Sequence, residues 1–186
     1  EGVARYAAQG VKLYGLAPLP FLAYLLKQEA LLGAAQPYLQ SGDIAAIRLS
    51  TRPDAIDGEV LSRLRRCGVE TIELGAQSMS DRVLALAGRG HTAQDVADAA
   101  KAVKAAGFKL ILQMMTGLPG ADDECDVDSA RAIAALEPDG VRVYPTVIVR
   151  DTALYDLWKA GRYREHTVEA VSYTHLRAHE TVLDLV

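Results

Sequence analysis

Four short apolar runs, at residues 44–50, 69–74, 108–115 and 140–149, recur along this chain with helical sequence between each and the next. No other feature restricts the fold as much. A strand, a crossover helix and a second strand in one sheet require parallel pairing and a right-handed connection. The helical stretches are 57–67, 92–106, 122–136 and 151–160. In the first, Leu61 and Leu64 share a face and Gly68 follows as a helix-ending glycine. In the second, Thr92 stands as N-cap ahead of Val96, Ala99, Ala100 and Val103 at helical spacing. In the third, Asp122, Asp123 and Glu124 occupy the first turn, where the helix dipole favours negative charge. The expected fold class is α/β, a partial (β/α) barrel with parallel strands. The competing open doubly wound sheet is disfavoured because no Gly-x-Gly-x-x-Gly turn follows any strand.

The chain has 186 residues, half of them apolar, and a formal net charge of −4. That charge argues against a nucleic-acid footprint spread over the whole surface. Cys67 and Cys125 lie too far apart in sequence for a metal-ligand cluster and suit a reducing, cytoplasmic setting. The apolar stretch 16–26 is shorter than the roughly 20 residues a membrane span needs, and Pro18 and Pro20 break any early helix, so no membrane association is expected.

Ligands of parallel α/β folds bind at the carboxyl ends of the strands. The first run here ends in Ser50, Thr51 and Arg52. The second carries Glu73 and ends at Gln77 and Ser78, and the third carries Gln113 and ends at Thr116 and Gly117. The fourth offers Arg142, Tyr144 and Thr146. Gln113 stands out, because a long amide in a buried strand needs hydrogen-bond partners. Arg89-Gly-His91 supplies a cation and an imidazole on a loop. Gly117-Leu-Pro-Gly120 reads as a tight strand-to-helix turn, since the acidic residues that follow it would repel a phosphate.

Five stretches resemble one family in order and spacing. They are Ile47-Arg-Leu-Ser-Thr-Arg-Pro-Asp54, Ile72-Glu-Leu-Gly-Ala-Gln-Ser-Met79, Gly88-Arg-Gly-His-Thr92, Leu112-Gln-Met-Met-Thr-Gly-Leu-Pro-Gly120 and Val141-Arg-Val-Tyr-Pro-Thr146. Together they look like successive strands and loops of radical S-adenosylmethionine enzymes, in the branch with the elongator catalytic subunit and oxygen-independent coproporphyrinogen oxidase. The resemblance implies a TIM-barrel-like core in which a [4Fe–4S] cluster holds S-adenosylmethionine and cleaves it to a 5′-deoxyadenosyl radical. It places Gln77 and Arg89 at the methionyl carboxylate, Gln113 at the ribose hydroxyls, and Glu73 and Tyr144 in the pocket wall. Transfer RNA is the implied substrate class.

The family's Cys-x3-Cys-x2-Cys loop is not in the sequence. Residues 28–171 are expected to form a partial core, inactive alone. The preceding 1–27 read as a frameshifted start, the opening at Glu1 in place of Met as the start of a fragment, and 172–186 as a non-native tail. His175 and His179 in that tail have no third ligand, so no metal site is expected. Two alternatives stand beside this reading. One is an aldolase- or isomerase-type barrel enzyme, for which a strand-end lysine would be needed. The other is a noncatalytic RNA- or protein-binding module, for which Arg63, Arg65 and Arg66 offer a basic helix face.

Overall fold

The computed structural model describes residues 13–18 and 25–166, with side chains from residue 30 onward. The elements follow the chain as β1 (Leu13–Pro18), α1 (Leu25–Ser41), β2 (Ile44–Thr51), a 3-10 turn (Pro53–Ala55), α2 (Gly58–Arg66), β3 (Val69–Gln77), α3 (Asp81–Leu86), α4 (Ala93–Ala105), β4 (Lys109–Thr116), α5 (Asp123–Ala134), β5 (Gly140–Pro145) and α6 (Ala153–Lys159). The strands form one sheet in sequence order, β1-β2-β3-β4-β5. Pairing is parallel between β1 and β2 and between β2 and β3, with Leu49 opposite Ile72 and Ser50 opposite Glu73.

Local chemistry explains the helix starts. Asp57, Asp122 and Thr152 each accept a hydrogen bond from the backbone N–H three residues on. Thr92 Oγ1 accepts from the Asp95 N–H at 3.1 Å, and the Asp95 carboxylate accepts from the Thr92 N–H at 2.7 Å. This reciprocal capping box bears out the N-cap expected at Thr92. The Thr92 hydroxyl, donating to the Asp95 carboxylate at 2.7 Å, and then the Thr92 N–H hold that carboxyl below its usual range.

Three elements were not foreseen. β1 takes up Leu16–Pro18 of the stretch first read only as apolar. α1 carries Pro37 inside it. α3 has six residues, of which Val83 and Leu84 are buried. β5 is shorter than expected and ends at Pro145, whose ring removes a ladder donor. The doubted start overlaps the described residues only in β1 and the first turn of α1, and the tail 172–186 lies outside them.

The chain divides into two compact units, Glu1–Gly75 with Asp98–Ile111, and Ala76–Ala97 with Leu112–Val186. In the first, Ile47, Leu49, Ile72, Leu74, Val103 and Leu110 are buried. In the second, Val83, Leu84, Val96, Leu112, Met114 and Ile133 are buried. In β4, Leu110, Leu112, Met114 and Thr116 are buried while Ile111, Gln113 and Met115 are half-buried. Alternate residues of a strand point to opposite faces, so one face of β4 belongs to the core and the other carries Gln113.

Candidate functional site

Gln77 ends β3 with φ at 67°, in the left-handed region that non-glycine side chains rarely adopt. The Ser78 N–H donates to the Ala76 carbonyl at 2.9 Å, which closes a three-residue γ-turn centred on Gln77. With positive φ this is the rare, strained form. The side chain is only 4% exposed, and its Oε1 accepts a hydrogen bond from Gln113 Nε2 at 3.2 Å. The structure therefore brings together two of the five expected site residues and supplies the partner that the strand amide required.

The turn is fixed further by serines. Ser78 Oγ lies 3.1 Å from Ser129 Oγ in α5, and Ser129 Oγ also accepts from the Met79 N–H at 3.1 Å. Arg89 is delivered by a helix end. Gly88 has φ at 64°, its N–H donates to the Ala85 carbonyl, and the Arg89 N–H donates to Leu84. This is a Schellman motif that stops α3 and turns the chain out at Arg89. Two residues on, the His91 ring is buried and Nε2 donates to the Ala76 carbonyl at 3.2 Å. An Arg89-Gly-His91 loop that sequence alone left open between solvent and site is thus anchored beside Gln77.

Glu73 belongs to the first unit. Its carboxylate pairs with Arg48 across β2 and β3, and its side chain is 2% exposed. Sequence reasoning passed over Arg48. The one signal was a single cation inside an apolar run, IAAIRLS. Tyr144, in β5 of the second unit, is half-buried with the Arg142 guanidinium 4.9 Å from its ring centroid. Two of the three arginines on the basic face of α2 are taken up locally. Arg63 pairs with Glu59 at 3.0 Å and Arg65 lies 4.4 Å from the Phe108 ring centroid. Lys109 begins β4 and pairs with Glu70 at 2.5 Å, so it stands at the amino end of its strand and not at the carboxyl end where an aldolase would use it.

In the Gly117 turn, read from sequence as structural, the Gly117 N–H is already taken and is not offered to an anion. That N–H donates to Asp126 Oδ2 at 2.8 Å and the Gly117 carbonyl accepts from the Tyr163 hydroxyl at 2.8 Å. A Cβ at Gly117, where φ is 72°, would lie 2.8 Å from the His166 ring. Burial pushes the Asp126 carboxyl up from 3.8 to about 6, against the pull of the Gly117 N–H and of His166, with Asp123 and Asp122 adding to the rise. A raised carboxyl favours the fold when protonated, so its contribution is complete below pH 3.8 and is lost as pH rises through about 6. Asp126→Asn keeps an acceptor for Gly117. It is expected to be more stable than the parent by about 2 kcal/mol at neutral pH, with a flatter pH profile between about 4 and 6. Urea unfolding across that range checks this.

Three thiolates are needed to hold the family's cluster with one iron open to S-adenosylmethionine. Cys67 is the C-cap of α2 and its carbonyl accepts from Gln36 Nε2 at 2.6 Å. Cys125 lies in the first turn of α5, where burial raises its thiol and so disfavours the ligating thiolate. The two cysteines belong to different units. These residues do not fit a [4Fe–4S] cluster. Among the described residues no group of three His, Cys, Asp or Glu could hold a metal ion. No helix among them is long and apolar enough to cross a membrane.

Strand-end polar groups on an α/β scaffold with parallel strands define the class, and comparison with known proteins gives the family. The model of the radical SAM superfamily matches residues 3–133, and the chain belongs to that superfamily. A tRNA uridine(34) acetyltransferase of Methanocaldococcus jannaschii is 33% identical over 135 residues, covering 69% of this chain and 25% of the relative. Elongator complex protein 3 of Danio rerio is 38% identical over 128 residues, covering 67% of this chain and 23% of the relative. The chain thus spans about a quarter of the length of these relatives. Among solved structures, the N-terminally deleted Elp3 of Methanocaldococcus infernus aligns with TM-score 0.69 and 30% identity, covering 73% of this chain and 32% of that one. Coproporphyrinogen III oxidase from Escherichia coli aligns with TM-score 0.68 over 98% of this chain and 43% of its own, at 16% identity, which shows the fold alone. The partial barrel and the elongator-like branch expected from the sequence are both borne out.

Proposed function

We propose that this chain supplies the S-adenosylmethionine grip of a radical SAM enzyme acting on transfer RNA. The observation that carries the reading is the part-buried Gln77–Gln113 pair, with Gln77 held in a strained turn at a strand end. Strain of this kind persists only where the surroundings impose it, and it gathers at functional sites. Gln77 and Arg89 would hold the methionyl carboxylate, to which a guanidinium fork can offer two parallel bonds. Gln113 would meet the ribose hydroxyls, with Tyr144 in the wall. When bound, S-adenosylmethionine supplies a 5′-deoxyadenosyl radical to this family's chemistry. The cluster ligands would lie outside these 186 residues, so the chain is expected to bind the cofactor without cleaving it. The free cysteines Cys67 and Cys125 support a cytoplasmic setting.

Isothermal titration of the chain with S-adenosylmethionine tests the reading. Arg89→Gln is expected to weaken binding by about tenfold or more, because it removes a charge-assisted contact. Equal dissociation constants for the two chains would overturn it. The names of the relatives carry the transfer RNA part. Filter binding over a salt series checks that part, since phosphate contacts give an affinity that falls steeply with salt.

A further inference from the structure

The His91 ring is 5% exposed, and its Nδ1 is buried with no hydrogen-bond partner. A proton on Nδ1 would have no acceptor to meet. A neutral ring with the proton on Nε2 leaves Nδ1 as a bare acceptor and gives Ala76 its donor. The Ala76 carbonyl then receives two hydrogen bonds, from His91 Nε2 at 3.2 Å and from the Ser78 N–H at 2.9 Å. Its two lone pairs are both used. The peptide so held is the one entering Gln77, whose φ of 67° orients the side chain that meets Gln113.

We infer that His91 is a positioning residue: its Nε2–H fixes the Ala76 carbonyl and so keeps Gln77 in the left-handed turn from which its amide addresses the cofactor. The cofactor part of this inference rests on the proposed S-adenosylmethionine site. The turn-holding part rests on geometry alone. The donor contact distinguishes this role from packing alone, and catalysis by His91 itself is not implied, because its other nitrogen is enclosed.

Three chains decide the matter: wild type, His91→Phe, which keeps a ring without a donor, and His91→Gln, which restores an N–H. In the ligand-free wild type, long-range nitrogen–proton spectra are expected to show His91 protonated at Nε2 and bare at Nδ1. His91→Phe is expected to shift the Gln77 and Ser78 backbone amides and to weaken S-adenosylmethionine binding by about tenfold. His91→Gln is expected to recover both. A proton on Nδ1, unmoved Gln77 and Ser78 amides in His91→Phe, or a Gln variant no better than the Phe variant would each overturn the inference. Should His91→Phe not fold, the wild-type tautomer and the amide shifts of His91→Gln still judge it. A wild-type chain that binds no S-adenosylmethionine would refute the proposed site, while the ligand-free spectra would still report on His91.

Discussion

Arg48→Met is expected to destabilise the chain by about 3–5 kcal/mol, the largest effect of any single change considered. Removing Arg48 from this part-buried pair takes a cation away from a carboxylate that is almost closed off from water. Glu73 is that carboxylate, with a side chain 2% exposed on β3, while Arg48 on β2 is 24% exposed. The more buried member pays most, so truncating the arginine is the harsher test. Replacing both by apolar residues, as Arg48→Met with Glu73→Leu, is expected to recover most of the loss, because well-packed apolar groups substitute for buried pairs with little penalty. A double-mutant cycle by urea unfolding measures this, and a coupling below about 0.5 kcal/mol would mean the pair contributes nothing specific.

The second large effect concerns a core residue of β4. Leu112 is fully buried, and Leu112→Ala is expected to cost about 3 kcal/mol through lost transfer energy and the cavity left behind. For a chain of this size that corresponds to a fall in melting temperature of about 6–12 °C. Leu112 adjoins Gln113 but points the other way, so at a temperature where the variant is folded its S-adenosylmethionine affinity is expected to stay within about threefold of the parent. A loss of binding larger than that, in folded protein, would show that the Gln113 face depends on the core residue beneath it.

Much of the fold was legible because its cues are local. Short apolar runs, capping residues and helix-ending glycines placed β2 to β5 and α2, α4, α5 and α6 within a few residues. α1 escaped because its Leu, Ala and Gln residues show little one-sided pattern and Pro37 argues against a helix. α3 escaped because six residues hold less than two turns of pattern. The candidate site was legible only in composition. A glutamine at positive φ carries no sequence signal, since glycine or asparagine is the usual marker. The Arg48–Glu73 pair depends on the register of β2 against β3, which joins residues 25 positions apart. The ring at His91 read as a loop side chain because burial there is imposed by the Ala76 carbonyl, a backbone group that no side-chain pattern announces.

The Gly117 peptide is clipped at both ends by side chains of very different age during synthesis. Asp126, nine positions on, leaves the ribosome almost with the turn it caps, whereas Tyr163 arrives 46 positions later. A nascent chain that has completed β5 therefore has its strand-to-helix corner tied by one clip alone. The second closes only when the segment after α6 emerges, so vectorial synthesis lays down the corner first and fastens it afterwards.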